Sequence, residues 1–379
     1  MTQLEGGRAG GIRLDDRQRV DWLRLIRSEN VGPAAFRQLV NRFGSAANAL
    51  DALPELAERG GRRAVRIITT EQADREMAYA HSRGARFIAM GEPDYPAALA
   101  AADNPPPLLA MLGGGEALRQ PAVGIVGSRG SSAAGAKMCE RLATALGNEG
   151  YTIASGLARG IDAVAHRASL RTGTIACMAG GLDRPYPPEN VPLLEAIAAE
   201  GGAVISEMPF GWAPRARDFP RRNRLIAGLS LGVVVIEAAM RSGSLITARL
   251  ANEMGRLVFA VPGSPLDPRA AGTNGLLKQG ALIVTEAADV LSALEPITEK
   301  RFEQRDLFEV YEDIPFDEPS EDDRTRIASA LGPAPIAIDE LQAHLGIAMG
   351  TVQMTLLELD LAGRLERHPG GAVSLLPSG

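Results

Sequence analysis

The stretch "AVGIVGSRGSSAAGAKMCERLATALGNEGYTIASGLARGIDAVAHRASL", Ala122–Leu170, decides the fold. Two short apolar runs, "AVGIV" and "YTIAS", each end in a glycine-rich turn, and an alanine-rich segment of helical length follows each turn. Apolar runs without polar alternation suit strands buried on both faces, and the long connection between them suits a crossover helix. The pattern repeats downstream. Strands are expected at 122–126, 151–155, 174–178, 203–207, 232–238, 257–261 and 281–284. Helices are expected near 132–149, 160–171, 189–200, 221–229, 244–254 and 286–294. The expected class is α/β, a Rossmann-like, doubly wound, mostly parallel sheet over about 121–296.

Outward from this domain the composition changes. Residues 1–12 are polar and glycine-rich, read as a disordered tail with no signal peptide. Residues 13–85 read as a helical, SAM-like domain. There "NVGPAAFRQLVNRFGS" sets Gly32-Pro33 at a helix start, as in a helix-hairpin-helix. Direct DNA contact by this turn is weighed against simple helical packing, which is preferred. Residues 86–120, rich in Pro and Gly, read as a connector lying on the next domain. Residues 297–322 read as an acidic linker, and 323–379 as a winged helix. The second helix of that module has no Lys or Arg before Arg364. A groove-reading helix presents basic or amide groups, so a protein-interaction role is expected.

The chain's 379 residues carry a net charge of −6. "EQRDLFEVYEDIPFDEPSEDD", Glu303–Asp323, holds ten acids and one arginine, or −9, so the remainder is at +3. Local charge decides whether a polyanion docks. Cys139 and Cys177 form no paired motif, which fits a reducing cytoplasm. The four histidines have no ligand spacing, so no metal is expected. His166 is read as packing or capping within its helix rather than as a catalyst.

Ligands of open α/β sheets sit beyond the carboxyl ends of the strands. The loops there are "GSRG", "SGLARGID", "AGGLDRPYPPEN", "MPFGWAPRARDFPRRNR", "AAMRSGSLITA" and "PGSPLDP". Small residues let backbone N–H groups approach an anion, and arginine offers a planar fork to phosphate. A dinucleotide fits poorly: "GIVGSRG" spaces its glycines as G-x-x-G-x-x-G, and the second strand ends in Ser155-Gly156 where a ribose-binding acid is wanted. A P-loop fails because Ala136 precedes Lys137. No cofactor is expected. Arg129, Arg159, Arg184, Arg241 and the five arginines of "WAPRARDFPRRNR" are too many for one phosphate and suit a phosphodiester chain. An arginine pairing with Glu237 or Asp218 is the bland alternative. Phe210, Trp212 and Phe219 are candidates for stacking on bases, with packing preferred for Phe219.

These stretches resemble the DNA-processing protein A (DprA/Smf) family. The resemblance rests on "GIVGSRG", "SGLARGIDAVAH", "GGLDRPYPPEN", "SEMPFG", "FPRRNRLIAGLS", "VVIEAAMRSGSLITARLANEMGR" and "VFAVPGS". It implies a non-enzymatic protein that binds and protects single-stranded DNA, helps load the RecA recombinase in transformation, and forms a homodimer through the Rossmann-like domain. The implied DNA- or phosphate-binding residues are Gly127, Ser128, Arg129, Ser155, Gly156, Arg159, Arg221, Arg222, Asn223, Arg224, Ser242, Gly243 and Ser244. Pro188 stands where some members carry a basic residue after Tyr-Pro. The rival readings are a nucleoside-monophosphate phosphoribohydrolase using Glu237 and Arg241, and an adaptor with vestigial DNA binding.

Overall fold

The computed structural model describes residues 12–62, 64–298 and 318–376. The expected tail lies almost wholly outside the described residues, as does the central part of the expected linker. The chain divides into two compact units, one within residues 76–298 and one built from residues 14–75 and 318–376.

The second unit begins with α1 (Asp16–Arg27), α2 (Pro33–Phe43) and α3 (Ala46–Arg59). Asp15 and Gln18 close a capping box on α1, and Pro33 opens α2, where its missing N–H removes no helical bond. Trp22 and Phe36 meet edge to face at 5.0 Å in its core. Helix α4 (Thr70–Ser82) follows.

The first unit is a nine-stranded sheet in the order β1-β2-β6-β5-β4-β3-β7-β8-β9. Its elements in sequence are β1 (Ala85–Ala89), α5 (Ala97–Ala100), β2 (Leu108–Gly113), α6 (Glu116–Arg119), β3 (Ala122–Val126), α7 (Ala133–Asn148), β4 (Thr152–Ser155), α8 (Ile161–Ser169), β5 (Thr174–Cys177), α9 (Val191–Ala199), β6 (Ala203–Ser206), α10 (Asp218–Leu229), β7 (Ser230–Val235), α11 (Gly243–Glu253), β8 (Leu257–Ala260), α12 (Ala271–Lys278), β9 (Leu282–Ile283) and α13 (Ala287–Thr298). Strands β3 to β9 pair in parallel. Val123, Ile125, Ile153, Val234 and Phe259 are fully buried against Leu142 and Leu146 of α7. The α/β Rossmann-like class is borne out.

Three details differ from the sequence reading. The segment 86–120 is not only a connector: β1 and β2 add an antiparallel extension to the sheet through β6. Their apolar runs are short, and the surrounding Pro and Gly belong to the turns between them. Helix α10 starts at Asp218, before Pro220, because proline is tolerated in a first helical turn. Helix α12, "AGTNGLLK", carries Gly, Thr and Asn and lacks a local helical signal.

The second unit closes with α14 (Glu321–Ala330), β10 (Ile336–Ala337), α15 (Ile338–Leu345), α16 (Met349–Leu361), β11 (Leu365–Arg367) and β12 (Ala372–Leu375). Glu321 and Asp322 belong to α14 rather than to a linker. Acids in a first turn complement the helix dipole, and Ser320 with Asp323 forms a capping box there. The sheet order β10-β12-β11 completes the winged-helix arrangement.

Candidate nucleic-acid interface

The strands run outward from β3 to β6 on one side, and then return to place β7 beside β3. The resulting switch point is where a dinucleotide fold seats its phosphate, against the first helix N-terminus. Here that place is taken. Glu237, just beyond β7, accepts bonds from the backbone N–H of Ser132 (2.9 Å) and from its hydroxyl (2.5 Å). Ser132 is also the N-cap of α7, accepting from the Gly135 N–H at 2.9 Å. A Cβ on Gly135 would lie 2.5 Å from the Glu237 carboxyl carbon. A carboxylate therefore fills the anion seat of α7, and added negative charge is repelled from it.

Guanidinium groups gather on the β3–β4–β5 side instead. Arg129, in the turn after β3, is exposed, and its guanidinium carbon lies 5.4 Å from the centre of the Phe219 ring. Arg222 approaches the same ring at 5.9 Å. Tyr186, half exposed at 50 %, meets Phe219 edge-on at 5.9 Å. Phe219, on the first turn of α10, is thus half-buried at the centre of a cation–aromatic cluster. Among the described residues Arg129 has no carboxylate ion pair.

Arg222, expected from the sequence at a phosphate, is buried. Its guanidinium donates to the carbonyls of Gly156 and Cys177 (3.0 Å for Cys177) and to Asn223 Oδ1 at 3.1 Å. Gly156 has no room for a side chain: a Cβ would overlap the Arg222 guanidinium. Burial lowers the Arg222 pKa, and Asp162 opposes that shift. Buried Asp162 is raised by desolvation, while Arg222 and the N–H of Ala158 pull it back. Arg222 therefore ties the turns after β4 and β5 to α10.

The side chains of Ser155 and Asn223 are likewise bonded within the fold. The Ser155 hydroxyl is fully buried and donates to the Ile125 carbonyl at 2.6 Å. Asn223 is buried and donates to the Gly243 carbonyl at 3.3 Å. Gly127 and Ser128 frame the turn. A Cβ on Gly127 would reach 2.7 Å from Ile161, the Ser128 carbonyl accepts the Ile161 N–H at 3.1 Å, and the Ser128 hydroxyl accepts the Gly130 N–H at 3.2 Å. Ser242 caps α11 by accepting the Ser244 N–H at 3.3 Å; Ser244 is buried, and Gly243 is exposed with open space around it.

Arg159, Arg221 and Arg224 are paired. Arg159 is exposed and bound to Glu189 across neighbouring turns. Arg221 and Arg224 share Glu207, each at 2.9 Å, and Arg224 also donates to the Asn104 carbonyl. Glu207 is buried. Two cations on one carboxylate leave a surplus positive charge at this edge. Among the described residues neither Glu237 nor Asp218 forms an arginine ion pair: Asp218 accepts from the Trp212 indole N–H (2.9 Å) and the Arg215 backbone N–H (2.8 Å). Glu207 escaped sequence reading, although an acid directly after an apolar strand was the available signal. Phe210 packs edge-on against Tyr79 and Phe87, while Arg215 covers Trp212 at 4.8 Å.

His166 is a framework residue. The Thr174 hydroxyl donates to the Ile153 carbonyl, so it accepts from His166 Nδ1–H at 2.7 Å. His166 Nε2 then accepts the Leu157 N–H at 3.3 Å. Leu157 sits at φ +56°, and this bond together with Asn190 Nδ2 on its carbonyl (2.9 Å) holds it there. Burial pushes the ring pKa down to about 3, and Arg222 and Arg167 add repulsion. In the unfolded chain His titrates near ~6.5. The unfolded state therefore takes up a proton that the folded state refuses as pH falls from about 6.5 to 3. Stability is full above that window and declines within it by up to about 1.4 kcal/mol per pH unit. Urea unfolding at pH 7.5, 6 and 5 should show the decline, and His166→Gln should remove this share of it.

The fold and this edge define a Rossmann-like protein with a guanidinium-rich sheet edge, in which Glu237 occupies the N-terminus of α7. The profile of DNA recombination-mediator protein A matches residues 86–295, flanked by a DprA-like N-terminal HHH domain (16–78) and a DprA winged helix domain (315–371). The chain belongs to the DNA-processing protein A (DprA/Smf) family. It is 36% identical to protein Smf of Synechocystis sp. over 92% of this chain and 96% of that protein. It is 47% identical to DNA processing protein DprA of Streptococcus pneumoniae over 53% of this chain and 71% of that one. The X-ray structure of the S. pneumoniae DprA superposes with a TM-score of 0.60 at 36% identity, covering 74% of this chain and 98% of that one. A structure of Helicobacter pylori DNA processing protein A, described for its single-stranded DNA binding mode, superposes at 0.51 with 29% identity, covering 56% of this chain and 96% of that one.

Proposed function

We propose that this protein binds single-stranded DNA along the carboxyl edge of its Rossmann-like sheet. Exposed Arg129 carries the reading: among the described residues it has no carboxylate ion pair, and its guanidinium lies over the half-buried ring of Phe219, which the exposed ring of Tyr186 meets edge-on. Cation and ring together suit a phosphate and its neighbouring base. Binding draws its affinity from counterion release and tolerates any sequence. Arg221 and Arg224 add surplus charge beside Glu207, and exposed Gly243 offers its backbone. A gel-shift comparison of single- and double-stranded oligonucleotides across a salt series tests the reading. Stronger retention of single strands with a steep salt dependence is expected; equal binding of duplex, or a flat salt response, overturns it.

The same proposal includes protection of DNA and loading of a RecA-type recombinase in the cytoplasm, without an enzymatic step or cofactor. A homodimer through the Rossmann-like domain fits the exposed apolar edge strand β9, where Leu282 and Ile283 are 41% and 56% exposed. The phosphoribohydrolase reading needs Glu237 at a substrate, whereas this carboxylate caps α7 through Ser132. The domain limits proposed are those read from the sequence, with the Rossmann-like part extended back to β1 and the winged helix extended back to the Ser320 cap of α14.

Glu189 restrains this site. Its hydrogen bond to Arg159 lowers the Glu189 pKa and raises that of Arg159, so the pair is intact at neutral pH. Glu189→Gln frees Arg159 for a phosphate. The expected result is tighter single-strand binding, up to about fivefold at 0.1 M salt, with a log–log salt slope steeper by ~0.7. Fluorescence anisotropy at four salt concentrations measures both.

A further inference from the structure

Two motifs usually associated with DNA lie at the ends of this chain, the helix-hairpin-helix turn between α1 and α2 and the second winged-helix helix, α16. A groove-reading helix keeps one face free. Helix α16 does not. Val352, Leu356 and Leu359 fill the winged-helix core with Ile327, Leu341 and Val373. Met354, Leu357, Glu358 and Leu361 are buried as well, leaving Gln353 as its only exposed residue. Buried Glu358 receives a two-pronged bond from Arg324 of α14, at 2.8 and 2.9 Å. The helix carries Glu358 and Asp360 and no Lys or Arg, which is the wrong charge for phosphate.

The outer face of α16 meets the N-terminal helices. The Asn30 side chain, in the hairpin turn, donates to the Leu361 carbonyl at 3.0 Å. Arg364 donates to the Gly60 carbonyl at 3.1 Å, and Arg367 to Gln38 Oε1 at 3.3 Å. The fit at Gly60, which ends α3, is backbone against backbone. A Cβ there would lie 2.0 Å from the Glu358 carbonyl oxygen and 2.8 Å from Ala362 Cβ.

We propose that the winged helix is a clasp for this chain's own N-terminal domain, in which α16 and the hairpin turn spend on each other the surfaces that such motifs otherwise offer to DNA. The ends of the chain form one body through a protein interface, and neither motif reads duplex. This rests on contacts of the chain ends alone, so its failure leaves the Rossmann-edge reading untouched.

The test uses the full chain with a protease site placed within residues 299–317. After cleavage, the C-terminal piece should co-elute with the remainder on size exclusion at low micromolar concentration. In Gly60→Leu it should separate. Gly60 has φ −72° and ψ −3°, which leucine adopts freely, so only the contact with α16 is lost. Asn30→Ala combined with Arg364→Ala, which introduces no bulk, should weaken retention at least tenfold on dilution. Separate elution of the wild-type piece, or its retention in Gly60→Leu, overturns the proposal. Duplex affinity of uncleaved Gly60→Leu should match wild type; a tenfold gain also overturns it, because a masked reader would have been released.

Discussion

Arg222→Ala is expected to lower the unfolding free energy of the Rossmann-like unit by about 4 kcal/mol. The carbonyls of Gly156 and Cys177 and the amide oxygen of Asn223 lose their donor inside the protein, and Asp162 loses the cationic support of Arg222. A buried acceptor left without a partner costs about 1–3 kcal/mol, and removal of one buried charge from a mutually compensating set costs more. Urea titration monitored by circular dichroism measures the loss. Arg222→Lys should recover only part of it, because one ammonium cannot span the three acceptors that the planar fork reaches. A loss below about 0.5 kcal/mol, the range of ordinary surface substitutions, would return Arg222 to the ligand face.

Arg129→Ala should have the opposite profile. The side chain is exposed and its one described contact is the face of Phe219, so stability should change by no more than about 0.5 kcal/mol. Single-strand binding should weaken about fivefold at 0.1 M salt, with the log–log slope flatter by ~0.7, the share of one phosphate contact. The weakening should be the same for oligonucleotides of different sequence, since a phosphate contact carries no base information. Fluorescence anisotropy across a salt series measures slope and affinity together. Unchanged affinity and slope would remove Arg129 from the interface.

These two arginines show how far a sequence can be read. "GSRG" and "FPRRNR" are equally basic and both follow strands, so both are placed correctly at one sheet edge. Nothing local distinguishes exposed Arg129 from buried Arg222. That difference comes from Gly156 and Cys177, 66 and 45 residues away from Arg222 in the chain, whose carbonyls converge where the α10 side chain enters. Phe219 is a similar case: packing and ligand contact are the alternatives in the sequence, and the ring is half-buried among Arg129, Arg222 and Tyr186.

The sequence by itself determined the α/β class, the order of the strand motifs along the chain, and the set of loops at the carboxyl edge of the sheet. Those features follow from apolar period and turn chemistry, which act within a few residues. Only the tertiary structure decided which charges remain available. Glu237 reaches Ser132 across 105 residues, Glu207 gathers Arg221 and Arg224, and Asn30 meets Leu361 across 331 residues. Whether a polar group faces water or a partner depends on what the crossovers bring beside it, and desolvation makes that pairing obligatory once the group is buried.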